Sequence, residues 1–118
     1  MSYDLNFWKY KSDVYLDPFT TYTSLCEGSS VDGLEELPIK GMLNRLTVLF
    51  SDGWEKIDEM NWEAANRGAF QISTTSQMLR VDCYGMSGDD MNRFIDLGTE
   101  FGCPLYDPQV GTRFDGKS

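Results

Sequence analysis

Twice between residues 70 and 84 the chain alternates in polarity. Phe70, Ile72 and Thr74 are separated by Gln71 and Ser73, and Leu79, Val81 and Cys83 are interleaved with Arg80, Asp82 and Tyr84. A period of two sends successive side chains to opposite faces, so the two runs predict a β-hairpin with one apolar and one polar face. An isolated hairpin is marginal in water, and its apolar face has to be covered by a second layer. Two segments carry the complementary pattern. After Pro38, Ile39, Met42, Leu43, Leu46, Leu49 and Phe50 follow the 3.6-residue period of an amphipathic helix, while Lys40, Asn44, Arg45 and Thr47 fall elsewhere and Gly53 stands where the helix is expected to end. Met91, Phe94, Ile95, Gly98 and Phe101 form the apolar face of a second helix, bounded by Ser87-Gly88 and by Gly102-Cys103-Pro104. Gly98 on that face allows a close approach to the sheet.

The other segments are assigned by their boundaries. Residues 4–10 place Leu5, Phe7 and Lys9 on one side and Asn6, Trp8 and Tyr10 on the other, which predicts a first strand. After a turn at Lys11-Ser12-Asp13, the run Val14-Tyr15-Leu16 is expected to pair back with it. Asp17-Pro18 supplies an N-cap followed by proline at the first helical position, and Gly28 stops a short helix with Phe19, Tyr22 and Cys26 on one face. Residues 28–33 read as a loop, and residues 54–66 fit either a strand or a short helix. Leu105 and Tyr106 predict a short last strand before a polar, frayed tail. The order implies an α+β fold: a two-layer sandwich of a mostly antiparallel sheet with two main helices on one face, in a ferredoxin-like split arrangement. The 118 residues fit a single domain spanning 1–118, enough to hide about two thirds of the unfolded chain's surface.

The stretch Gly85-Met86-Ser87-Gly88-Asp89-Asp90 joins a strand to a helix and invites a chemical reading. A nucleophile elbow needs its second glycine two places after the serine, and here Gly88 follows Ser87 directly. The chain has no histidine, so it cannot build a Ser-His-Asp or Cys-His site of its own. A phosphate loop lacks its GxxxxGK[ST] pattern, and Asp89-Asp90 repel phosphate from the helix start. The same acids suit the helix dipole, with Ser87 as N-cap contributing about 1 kcal/mol. No DxDxDG loop or CxxC spacing occurs, so no metal, cofactor or disulfide framework is expected, and Cys26, Cys83 and Cys103 read as buried thiols. The expectation is a protein that is not an enzyme. The absence of a long apolar run or a signal-like start predicts a cytoplasmic protein.

Charge says more. Ten Lys plus Arg against nineteen Asp plus Glu leave a net charge of −9, a field that repels nucleic acid and anionic membranes and steers toward basic partners. Asp52, Trp54, Glu55, Asp58, Glu59, Trp62 and Glu63 gather five acids and two tryptophans, with Lys56 the only local cation. Aromatic anchors flanked by steering acids are what a cationic protein surface meets, which makes these seven the expected partner-binding residues. The competing reading turns both tryptophans into the core and leaves the acids as a solvated face. A second acidic group, Glu27, Asp32, Glu35 and Glu36, borders the loop before the long helix. Asn6, Trp8, Tyr10, Arg80 and Tyr84 on the sheet's polar face have the layout of an RNA-binding platform, but the RNP1 pattern is missing and the charge opposes it.

Three stretches carry a family likeness: residues 3–10 (YDLNFWKY), residues 82–91 (DCYGMSGDDM) and residues 101–109 (FGCPLYDPQ). They resemble small bacterial immunity proteins associated with polymorphic toxins, including contact-dependent growth inhibition systems. The likeness implies that the protein binds and neutralises the toxic C-terminal domain of a large secreted protein by forming a stoichiometric complex. Nuclease-type toxin domains are basic, so an acidic inhibitor fits that role. The alternative is an acidic interaction or regulatory module with a host partner that is not a toxin.

Overall fold

The computed structural model describes residues 2–114. In chain order the elements are β1 (Ser2–Phe7), α1 (Pro18–Cys26), α2 (Ile39–Leu49), β2 (Glu55–Asp58), β3 (Asn61–Ala64), β4 (Gly68–Thr74), β5 (Leu79–Tyr84), α3 (Gly88–Glu100), β6 (Leu105–Asp107) and β7 (Thr112–Arg113). The strands lie in one sheet ordered β2-β3-β4-β5-β1-β6-β7, and every neighbouring pair is antiparallel. β4 and β1 flank β5, and are therefore parallel to each other; β5 and β6 flank β1 in the same way. The chain thus makes two split β-α-β crossovers, β1 to β4 by way of α2 and β5 to β6 by way of α3. That is the ferredoxin-like arrangement expected from the element order, extended at one edge by the β2–β3 hairpin and at the other by β7.

The predicted hairpin is β4–β5, with Phe70 opposite Cys83 and Ile72 opposite Val81. Its apolar residues continue across the sheet as Leu5, Phe7 and Leu105 on one side and Trp62 on the other. α2 and α3 cover this face with Met42, Leu46, Phe94 and Leu97, all fully buried. Phe50, just past α2, stacks on Phe94 at a centroid distance of 4.7 Å and meets Phe70 at 4.8 Å. Full burial of each such side chain contributes roughly 1.5–3 kcal/mol. Gly98 does what its position on the apolar face implied: a Cβ there would stand 2.5 Å from both the Cys103 carbonyl and the Phe7 ring. At the helix start the Ser87 hydroxyl accepts the Asp90 N–H at 3.1 Å, so the glycine-serine stretch is a cap.

α1 lies on the opposite face, where Leu25 packs with Trp8, Leu34, Met78 and Tyr106. It covers the β1 and β6 region and leaves the outer part of β2 to β4 bare, with Glu63, Gln71 and Ser73 exposed. Three expectations change and one alternative is decided. Val14–Leu16 forms no strand, because Tyr10 makes its bridge with Leu34 instead. α1 buries Thr21 and Leu25, and of the expected face only Tyr22 packs inward, against Tyr106 at 5.1 Å, while Phe19 and Cys26 point outward. Residues 54–66 are the β2–β3 hairpin. The segment after Tyr106 is tied down as far as Phe114: Gln109 exchanges hydrogen bonds with the Asp4 backbone at 3.0 and 3.1 Å, and β7 pairs with β6. Residues 115–118 lie outside the described residues.

Candidate functional site

The seven residues expected to bind a partner lie in or beside the β2–β3 hairpin, and the structure divides them into three groups. Trp54 and Trp62 are core residues, 8% and 2% exposed. Trp62 is the register partner of Phe70 and stacks on it at 5.1 Å; Trp54 meets Phe50 edge-on at 5.4 Å and Phe70 at 5.3 Å. The aromatic half of the expected surface is therefore corrected: in β3 a residue opposite Phe70 falls on the helix-covered face, and its area is already buried within the chain. Cations cap both indoles, Lys56 over Trp62 at 5.4 Å and Arg67 over Trp54 at 5.1 Å.

Asp52 and Asp58 are engaged locally. Arg93 donates to both Asp52 oxygens, at 2.6 and 3.0 Å, and this bidentate pairing holds the carboxyl down at about 2. Arg67 bridges the same cluster, 2.9 Å from Asp90 and 3.9 Å from Asp52, and donates to the Asp52 carbonyl at 2.7 Å. The cluster clips the loop after α2 and the β3–β4 turn to α3. Asp58 closes the hairpin turn by accepting the Met60 N–H at 2.8 Å, which lowers its carboxyl pKa, and the Asn61 amide at 2.9 Å.

Glu55, Glu59 and Glu63 remain available. Glu55 and Glu63 are directly opposite each other across the two strands, both exposed, and neither has an ion-pair partner among the described residues. Like charges in that relation destabilise the pair of strands. Glu63 follows Trp62, so both glutamates stand on the sheet face that α1 leaves bare. They border a hollow of about 530 Å³ walled by Gly53, Ala64, Ala65, Gly68 and Ala69. Glu59, at the turn, lies 3.6 Å from Lys56 and is 88% exposed. The second acidic group does not join this one through Glu35, which pairs with Lys9 at 3.3 Å past the end of β1.

A polar cluster that sequence reasoning missed lies beneath α1. Arg80 Nη2 is 3.1 Å from Asp4 Oδ2 and 3.1 Å from Asp82 Oδ1, and Asp4 and Asp82 are register partners. Burial, reinforced by a hydrogen bond shared with Asp82, pushes the Asp4 carboxyl up to about 6. Burial likewise pushes the nearby Tyr22 hydroxyl up to about 12. The polar alternation of β5 hinted at Arg80 and Asp82, whereas Asp4 joins them only through the register of β1. Asn6 and Trp8, which an RNA platform needs exposed, are fully buried on this face.

Among the described residues no group of three or more metal-ligating side chains occurs, and no helix is long and apolar enough to cross a membrane. No protein-family model, curated protein or solved structure matches the chain.

Proposed function

We propose that this protein is an immunity protein that binds a basic toxin domain stoichiometrically and neutralises it, docking through the outward acids of the β2–β3 hairpin. The observation that supports the reading is the facing pair Glu55 and Glu63. Two carboxylates held opposite each other, with no ion-pair partner among the described residues, store a small repulsion, and a lysine or arginine delivered by a partner relieves it. Glu59 extends the same field at the turn, and the net charge of −9 steers a cationic partner toward the encounter. Because Trp54 and Trp62 belong to the core, the desolvated centre of the complex rests on the small-residue hollow beside Glu63 and on Ile57, which is 52% exposed on the edge strand.

The test is a survival assay in cells co-expressing the cognate toxic domain, followed by size-exclusion chromatography of the mixed proteins. The expected result is rescue with a co-eluting complex, and loss of both in the Glu55→Gln/Glu59→Gln/Glu63→Gln variant, whose substitutions leave the core intact. Full rescue by that variant overturns the surface. Failure of the unaltered protein to rescue or to co-elute overturns the immunity reading.

A further inference from the structure

At the opposite end of the sheet from the acidic hairpin, the chain gathers cations. A cavity of about 470 Å³ between the Lys9–Tyr15 segment and the α3–β6 loop is lined by Lys9, Lys11 and Arg113, three of the ten Lys and Arg residues of a chain that carries nineteen acids. We propose that this cavity is a binding site for a small oxyanion-bearing ligand, a phosphate or carboxylate on an aromatic or similarly flat body.

Fixed and free cations are combined there in the way that anion recognition requires. Arg113 is buried, donates to the Trp8 carbonyl at 2.9 Å and lies 4.4 Å from the Tyr10 ring centroid, so its guanidinium is held in place. Lys9 stretches across Gly102, where the absence of a Cβ leaves it room and the φ of 73° favours glycine; a Cβ there would stand 3.3 Å from the lysine Cε and Nζ. Its ammonium shares Glu35 at 3.3 Å at the rim. Lys11 is exposed and has no ion-pair partner among the described residues, which leaves its charge for a ligand. Among the described residues that line the cavity Asp13 is the one carboxylate, and with Glu35 at the rim the two acids stand against three cations. Tyr15, 61% exposed and 6.1 Å from Tyr10 between ring centroids, offers a flat wall for the rest of the ligand. The overall field of the chain repels anions, so an oxyanion that binds has to be held by this local geometry.

The experiment is a titration of the ¹⁵N-labelled full chain with phenyl phosphate and, separately, with benzoate, at constant ionic strength, followed by amide chemical shifts. Saturable shifts confined to Lys9–Tyr15, Gly102 and Arg113 are expected, with affinity at least about tenfold weaker in Lys11→Glu, which removes one charge-assisted contact and sets a like charge in its place. A response to phenyl phosphate alone assigns a phosphoryl ligand, and to benzoate alone a carboxylate; either supports the site. No saturable shift with either probe, shifts scattered over the surface lysines, or unchanged affinity in Lys11→Glu overturns it. Lys11 is exposed, and the amide spectrum of the variant reports directly that it is folded.

Discussion

Two pairs of aspartates in this protein differ in how many arginines they share. Asp52 and Asp90, between the loop after α2 and α3, face both Arg67 and Arg93. Asp4 and Asp82, on the sheet beneath α1, share Arg80 alone. In the first cluster the arginine hydrogen bonds lower both carboxyl pKa values. In the second, burial and the neighbouring carboxylate raise that of Asp4 to about 6 despite the guanidinium 3.1 Å away. Proximity to one cation does not decide the direction; the balance of cations to carboxylates, weighed against burial, does. Glu55 and Glu63 complete the series with no arginine, and only their exposure keeps the repulsion small.

The contrast is broken most severely at its single cation. Arg80→Met leaves two largely buried carboxylates uncompensated and is expected to cost about 3 kcal/mol at neutral pH, read from urea unfolding. An equal cost for Arg67→Met would erase the distinction. That variant is expected to lose about 1.5 kcal/mol, since Arg93 remains 3.5 Å from Asp90. Acid titration sharpens the comparison by sign. Asp4 binds its proton more tightly folded, at about 6, than at its ordinary value of 3.8, so between those values the unfolded chain holds fewer protons and stability falls as pH rises. Solvent screening reduces the expected loss to on the order of 1 kcal/mol, and Asp4→Asn should flatten the profile over that interval. Asp90 acts in the opposite sense: its pKa is lowered, so its contribution is complete above the ordinary carboxylate value and is lost as pH falls through the lowered one. Asp90→Asn should shrink the acid limb below about pH 4 and leave the interval above it unchanged. The smallest effect belongs to the pair without arginine. Glu63→Gln should raise stability by about 0.3 kcal/mol, a gain visible as a small increase in the urea midpoint. A loss of stability there would mean that the facing glutamates do not repel.

What was legible in the sequence is what depends on neighbours along the chain. The alternation of Phe70–Thr74 and Leu79–Cys83, the helical stripe from Ile39 to Phe50, the Asp17 and Ser87 caps and the place of Gly98 on the buried stripe of α3 all involve periods or local hydrogen bonds, and all are present. What was missed depends on register and on layers. Trp62 is a core residue because it lies opposite Phe70, and Glu55 meets Glu63 because two short strands pair at that offset. Neither relation is written in spacing alone, and the acids around Trp54 and Trp62 looked the same whether the indoles faced in or out. The side of the sheet taken by α1 was equally hidden, since a nine-residue helix with one strong apolar contact, Leu25, has little periodicity to show.

The central place of β1 bears on how the chain is made. On the ribosome, Leu5 has to wait for Val81, and Phe7 for Leu79 on one side and Leu105 on the other, before their strand partners are complete. Through most of synthesis, residues 2–7 are a strand segment without partners, its Leu5 and Phe7 side chains uncovered, while α2 and the β2–β5 meander, built from near neighbours, can form as they emerge. Closure of the sheet is then a late insertion of an early segment between two strands that arrive long after it, and this is the stage at which the nascent chain is most open to capture by a chaperone.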